Sequence, residues 1–418
     1  MTAPILSAAT FCISVTTVHL VSIAIAIGRF RRRARRGPLE AHNPAVSLVR
    51  PLCGLDNYAA ETLASTFALD YPRYEILFCV AAADDPVVPL VKTLMARHKN
   101  ANARLLVGDE RLNNNPKLNN VAKGWRAAAH DWIVMADSNV LIPSDYIQRL
   151  LASWRPDTGL VASPPIGCRP EGFWANVECA FLNTYQARWQ YAAESFGFGF
   201  AQGKTMLWRR AELERAGGIA ALAKEVAEDA AATKIVRGAG LKVRLVDRPF
   251  PQPLGRRNAA EVWHRQVRWA RLRRASFLFC FLPEIFSGGV LPMIAIAIVA
   301  NGFGASTMLS VGLFGTFWYA AEMLLAAVAG WPLSPLSPLY GLTRDLLLPV
   351  LFVNALRGSD FVWRGNEMQV ERMRPRRAVA RMRPRQVMAR MRPRVQEIAQ
   401  EVAAASRKRL RALRARAM

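Results

Sequence analysis

Between Val46 and about Val246, short apolar runs alternate with helix-patterned stretches, and this alternation narrows the possible folds more than any other feature. The runs Val46–Val49, Tyr74–Val80, Ala103–Val107, Trp132–Ala136 and Leu160–Ala162 have the length of buried strands. Between and after them, Ala59–Phe67, Pro86–His98, Lys117–Ala129 and Pro143–Trp154 read as helices. The pattern predicts an α/β domain with a mostly parallel sheet covered by helices. Asp84-Asp85 follows the second run, Asp137-Ser138 follows the fourth, and Glu228-Asp229 comes later, ahead of Arg265-Gln266-Val267-Arg268-Trp269. An acid just past a buried parallel strand sits at the edge where open α/β sheets bind ligands. Each acid alone also reads as a helix cap. In series, with arginines following, they suit a sugar nucleotide, whose diphosphate and bound cation need acidic ligands nearby.

Outside that region the chain is apolar or basic. Pro4–Ile27 holds no acid, lysine or arginine and has the length of a bilayer-crossing helix. Arg29 and the run Arg31–Arg36 follow it. The excess of positive charge on the cytoplasmic side puts this flank inside and the N-terminus outside. The basic residues come after the apolar stretch, so an uncleaved anchor is expected, not a signal peptide. Two further apolar stretches, around Val290–Val299 and Met308–Val328, are expected to span. Leu339–Leu356 is interrupted by Arg344 and Asp345 and is expected to be re-entrant or to lie at the interface.

The formal net charge of +25 is largely a property of the tail. From Arg364 to Met418 there are 17 Lys/Arg against 4 Asp/Glu, a net +13, which favours a cytoplasmic tail. Arg-Met-Arg-Pro-Arg recurs at Arg372, Arg381 and Arg390, too polar and too few for a solenoid. The tail reads either as a solvated segment or as a strip adhering to anionic lipids, and no nucleic-acid partner is expected. Six scattered cysteines without a Cys-x-x-Cys pair suggest free thiols, and the five histidines lack zinc-site spacing.

The chain resembles the ceramide glucosyltransferase family, membrane-bound inverting enzymes of the GT-A type akin to glycosyltransferase families 21 and 2. The resemblance runs from about Val46 to Arg274. It is carried by Ser47-Leu48-Val49-Arg50-Pro51-Leu52-Cys53-Gly54, Leu69-Asp70-Tyr71-Pro72-Arg73-Tyr74-Glu75, Asp84-Asp85-Pro86 and Asn115-Pro116-Lys117-Leu118-Asn119-Asn120. Ala136-Asp137-Ser138, Ala227-Glu228-Asp229 and Arg265–Trp269 complete it. The resemblance implies a Rossmann-like GT-A domain over residues 46–275. Around it are expected an anchor at 1–28, a basic linker at 29–45, membrane segments at 276–357 and a basic tail at 358–418.

The resemblance also implies roles. Asp85 matches the family's first aspartate, near the nucleoside, with Asp84 beside it. Asp137 matches the second, near the ribose, diphosphate and cation. Asp229 matches the third, the presumed general base for the acceptor hydroxyl. Arg265, Arg268 and Trp269 match its (Q/R)xxRW signature. Arginines three apart share a helix face and suit phosphate oxygens, while Trp269 would shape the acceptor side. Lys117 is either a phosphate ligand or a solvated helix residue. Many GT-A enzymes carry Asp-x-Asp where this chain reads Asp137-Ser138-Asn139, so Mg²⁺ or Mn²⁺ is expected at Asp137 without a strict requirement.

The activity so implied is transfer of glucose from UDP-glucose to ceramide or a related lipid, with inversion, at the cytoplasmic face of what is expected to be a bacterial inner membrane. One alternative is a hopanoid-associated transferase using UDP-N-acetylglucosamine. Another, of a different class, is a catalytically silent membrane scaffold with a lipid-binding basic tail.

Overall fold

The structure, a computed structural model, describes residues 2–31, 43–363 and 366–369. The Arg-Met-Arg-Pro-Arg repeats and everything from residue 370 onward lie outside the described residues, as do residues 32–42 of the basic linker. The strands are β1 (Val46–Pro51), β2 (Tyr74–Val80), β3 (Ala103–Val107), β4 (Trp132–Ala136), β5 (Thr158–Ala162), β6 (Ile166–Glu171), β7 (Thr205–Arg209), β8 (Lys242–Leu245), β9 (Pro251–Arg256) and the hairpin pair β10 (Asp360–Trp363) and β11 (Asn366–Gln369). Ahead of the strands comes the helix α1 (Ala3–Phe30), and the helices of the sheet-bearing region are α2 (Ala59–Ala64), α3 (Val88–Arg97), α4 (Pro116–Ala127), α5 (Tyr146–Ala152), α6 (Phe173–Ala180), α7 (Arg188–Ser195), α8 (Arg210–Arg215), α9 (Glu228–Gly238) and α10 (Ala259–Ser276). After them come α11 (Leu278–Phe281), α12 (Val290–Gly302), α13 (Thr307–Ala329) and α14 (Ser337–Arg357).

Seven strands form the central sheet in the order β3-β2-β1-β4-β7-β5-β8. The pairs β1–β2, β1–β4, β2–β3 and β5–β8 are parallel, which bears out the expected α/β class. β7 is the exception. It enters antiparallel between β4 and β5, in a register that sets Thr205 opposite Ala136. Its N-terminal flank, Gly203-Lys204, therefore meets the C-terminal edge of β4, and the Asp137 amide donates to the Lys204 carbonyl at 3.0 Å. β1, β4 and β5 are buried along their length, as strands covered on both faces must be. Trp125 and Trp208 fill one side of the sheet, and Tyr146 and Phe250 the other.

Three helices are long and apolar enough to cross a membrane, α1, α13 and α14, and Leu278–Phe286 with Val290–Gly302 passes as a fourth, broken by a 43° bend. α1, α12 and α13 pack on one another, whereas α14 lies along α6 and α10 of the sheet-bearing region. Length and composition thus nominate α14 as a span, where a re-entrant or interfacial Leu339–Leu356 was expected, and α14 packs on α12 and α13 as well as on α6 and α10. Its two interrupting charges are not exposed to an apolar surround. Arg344 binds Glu322 of α13 at 3.0 Å and Asp345 at 2.8 Å, and Asp345 accepts from the Gly289 amide at 2.7 Å.

Candidate active site

A cavity of about 750 Å³ lies at the C-terminal edge of β4. Its polar part is set by α4. Asn115 caps that helix, accepting from the Lys117 and Leu118 amides at 3.0 and 3.1 Å, and Pro116 follows, where a missing amide costs nothing. The cap fixes where Lys117 leaves the helix. Its ammonium bridges Asp137 and Glu228, at 2.7 Å from each, and donates to the Gly203 carbonyl. The Asn115 amide group steadies Glu228 from the other side at 2.7 Å.

Asp137 is held by two lysines, Lys117 on one oxygen and Lys204 on the other at 3.0 Å. Lys204 also donates to Asn139 Oδ1 at 3.0 Å. Beneath this turn the buried Arg50 guanidinium donates to the carbonyls of Asp137, Ser138 and Val140 at 2.7–3.0 Å. Burial opposes ionisation of Asp137, but the two ammonium groups outweigh it and hold the carboxyl well below its usual range. Lys117 is the mirror case: burial pulls it down, yet Asp137 and Glu228 carry it above the usual lysine value. Lys204 ends below its usual value, because burial and the nearby Arg265 and Lys117 outweigh its one carboxylate partner.

Asp229 stands in the first turn of α9, half-buried, and accepts from the Gly203 amide at 2.8 Å and from its own neighbour Ala230 at 2.8 Å. Burial, with the negative Glu228 alongside, pushes its carboxyl up to about 6. Two adjacent acids are thus driven apart in character. Glu228 is locked in an ion pair, whereas Asp229 has no lysine or arginine salt bridge and is poised to exchange a proton near neutrality.

The cavity's far side comes from α10, started by a reciprocal Asn258–Glu261 capping box. Arg265, Arg268 and Trp269 of this helix line the cavity. Glu178 of α6, buried, binds Arg265 and lies 3.3 Å from Arg257, so it aims two guanidinium groups from below. The residues expected from sequence divide accordingly. Lys117, Asp137, Asp229, Arg265, Arg268 and Trp269 line one cavity; Asp84 and Asp85 do not. Asp84 is exposed, and Asp85 braces the loop after β1, accepting from the Gly54 amide at 3.0 Å and the Val87 amide at 2.9 Å. Lys204, Asp56, Asn139, Glu228 and Arg257 also line the cavity, without having been assigned roles from sequence.

Among the described residues no three His, Cys, Asp or Glu side chains gather as an all-protein metal cage. One carboxylate, Asp137, beside room for a diphosphate fits a cation held mainly by phosphate oxygens.

The model of the family described as glycosyl transferase family 21 matches residues 14–375. Among curated relatives, ceramide glucosyltransferase 3 of Caenorhabditis elegans is 27% identical over 364 residues, covering 85% of this chain and 78% of the relative. Ceramide glucosyltransferase 1 of the same organism is 25% identical, covering 84% and 77%. Ceramide glucosyltransferase of Komagataella phaffii is 28% identical over 59% of this chain and 60% of its own length. Among solved structures, mannosyltransferase PcManGT from Pyrobaculum calidifontis, in complex with GDP-Man and Mn²⁺, is 19% identical with a TM-score of 0.44, covering 83% of this chain and 97% of that one. S. aureus TarS 1-349 in complex with UDP is 14% identical with a TM-score of 0.37, covering 79% and 98%.

Proposed function

The chain belongs to glycosyl transferase family 21, and on that premise we propose that it transfers glucose from UDP-glucose to the hydroxyl of ceramide or a related lipid, with inversion, at the cytoplasmic membrane face. The observation carrying this reading is that Asp137, Asp229, Lys117, Lys204, Arg265, Arg268 and Trp269 line a single cavity. Relatives named ceramide glucosyltransferase support the choice of donor and acceptor.

In the proposed reaction the lipid hydroxyl oxygen attacks the anomeric carbon of glucose while the bond from that carbon to the diphosphate breaks. The bonding pair leaves with UDP, and Asp229 takes the hydroxyl proton. A single displacement of this kind inverts the anomeric centre. Asp229 suits the task because a carboxyl titrating near 6 is ionised at neutral pH yet still basic enough to accept a proton. Lys117, Lys204, Arg265 and Arg268 surround the place where negative charge grows on the leaving group, and groups already fixed there need no reorganisation. Asp137, together with phosphate oxygens, would hold a divalent cation, Mg²⁺ or Mn²⁺, which when bound neutralises part of the diphosphate charge. Asp85, which braces the Gly54 loop beside the lining residue Cys53, would act on the nucleoside side through that loop.

The test is direct. Reconstituted protein is given radiolabelled UDP-glucose or UDP-N-acetylglucosamine with ceramide or a hopanoid acceptor. Glucosylceramide as the main product is expected. A hopanoid product labelled only from UDP-N-acetylglucosamine would move the activity to a different lipid, and absence of UDP release with every lipid extract would leave a non-catalytic membrane protein.

A further inference from the structure

Beyond Arg268 and Trp269 the cavity changes character. Its lining there includes Trp189, Leu272, Phe277, Cys280, Phe281 and Pro283, with Ser276, Ser287 and the mutually paired Arg273 and Glu284 among them. This half is built where α10 stops. The chain breaks helix at Phe277 (φ −144°, ψ 61°), turns through α11, and reaches α12 across the 43° bend. The turn is unusually apolar for an open surface: Leu278, Phe279, Leu282 and Phe286 are 46%, 88%, 43% and 48% exposed. Across the mouth, the loop after α7 presents Phe196 and Phe198, each 66% exposed.

One residue ties the two rims together. Arg237 of α9 donates to the carbonyls of Phe198 and Gly199 at 2.8 and 3.0 Å, and its guanidinium lies 5.9 Å from the Phe277 ring centre. Lys234, one turn earlier, approaches the same ring at 5.6 Å. The helix that begins with Asp229 therefore holds both sides of the opening. Phe281, the floor, stacks on Phe352 of α14 at 4.8 Å. Trp189 also lines the cavity.

We infer that this apolar half is the slot for a hydrocarbon chain of the acceptor lipid, entered from the bilayer between the Phe198 rim and the Phe279 rim. It deepens the proposed function and rests on it. The occupant follows from continuity: the slot opens into the same cavity as Asp229, and its outer rim is exposed aromatic surface leading into an apolar helix. A chain lying against Phe277 and Cys280 leaves its polar head toward Asp229. Cys280 is a small residue between Phe277 and Phe281 on this wall, where a larger side chain would narrow the slot.

Photocrosslinking tests this with the full-length protein in vesicles, using ceramide with a diazirine in its acyl chain. Crosslinks are expected in the peptides holding Phe277–Phe281 and Phe196–Phe200. In parallel, Cys280→Trp is expected to raise KM for long-chain ceramide about tenfold with a much smaller change for a short-chain ceramide, while Cys280→Ser behaves as the parent. UDP affinity measured by calorimetry reports that each variant is folded. If glucose is transferred but the crosslinks map elsewhere and Cys280→Trp treats both chain lengths alike, the slot is wrong and the activity stands. If the crosslinks map to the slot but no sugar is transferred from any donor, the proposed activity is wrong and the lipid site stands. Neither crosslinks nor transfer would overturn both.

Discussion

Asp229 owes its proposed role to what its neighbours do, and that makes the role measurable. Its carboxyl is raised to about 6, first by burial and then by Glu228. A base works when unprotonated, so kcat should be flat above neutrality and fall about tenfold per pH unit below that value. Asp229→Asn should lower kcat by about 10²–10⁴-fold and remove the acidic limb, while UDP-glucose affinity stays near that of the parent. Turnover surviving in Asp229→Asn would shift the base elsewhere. Lys204 offers a second test. It competes with any cation for one oxygen of Asp137 and also adds a positive charge to the diphosphate site. Lys204→Met should weaken UDP binding several-fold in chelator and tighten Mn²⁺ binding in the presence of UDP, read by the Mn²⁺ resonance spectrum. A variant changing neither would reduce Lys204 to a packing residue.

At the scale of elements, the strands and the acids that follow them were legible because burial on both faces leaves unbroken apolar runs, as in Tyr74–Val80 and Trp132–Ala136. The antiparallel entry of β7 was not legible. Strand direction is decided by pairing with β4 and β5, not by any local pattern in Thr205–Arg209. For that reason Lys204 and Gly203 could not be assigned to Asp137 and Asp229 in advance. The approach of Gly203 is tight: a Cβ on this residue would lie 2.6 Å from Glu228 Oε1 and 2.7 Å from Lys117 Nζ. Gly203→Ala should therefore part the Lys117–Glu228 pair and cut kcat about tenfold or more, with little change in melting temperature. The charges in α14 argued against a bilayer span without revealing their partners. Arg344 is buried and paired with Glu322 and Asp345, while Glu322 also faces Arg188 at 3.5 Å. Glu322→Ala takes the carboxylate from the buried Arg188 and leaves Arg344 with Asp345 alone, and should cost about 3–5 kcal/mol, seen as early loss of α13 and α14 protection in hydrogen exchange.

For the whole molecule the question is how the apolar helices divide between crossing a bilayer and packing on the sheet-bearing region. α1 runs away from that region: Arg29 near its end binds Glu194 and Asp247, while a Cβ on Gly302 at the end of α12 would strike Ile5 near its start. The turn between α12 and α13 therefore lies at the far end of α1. α13 then returns, since Trp318 stacks on His19 and Trp331, just past α13, meets Phe30. α14 stays beside the sheet-bearing region, with Phe352 on Phe281 and Asn354 bonded to Arg271 at 2.9 Å. If α1, α12 and α13 cross and α14 does not, a cytoplasmic catalytic region and a cytoplasmic +13 tail follow together, as charge bias requires. Single cysteines decide the matter in a Cys53→Ser, Cys280→Ser background, which removes the two exposed native thiols. In intact cells a membrane-impermeant maleimide should label Ser306→Cys, in the α12–α13 turn, and should label Ser359→Cys, just past α14, only after the membrane is opened. Labelling of Ser359→Cys from outside would make α14 a true span, export the basic tail, and leave the buried Arg344–Glu322 pair inside the bilayer.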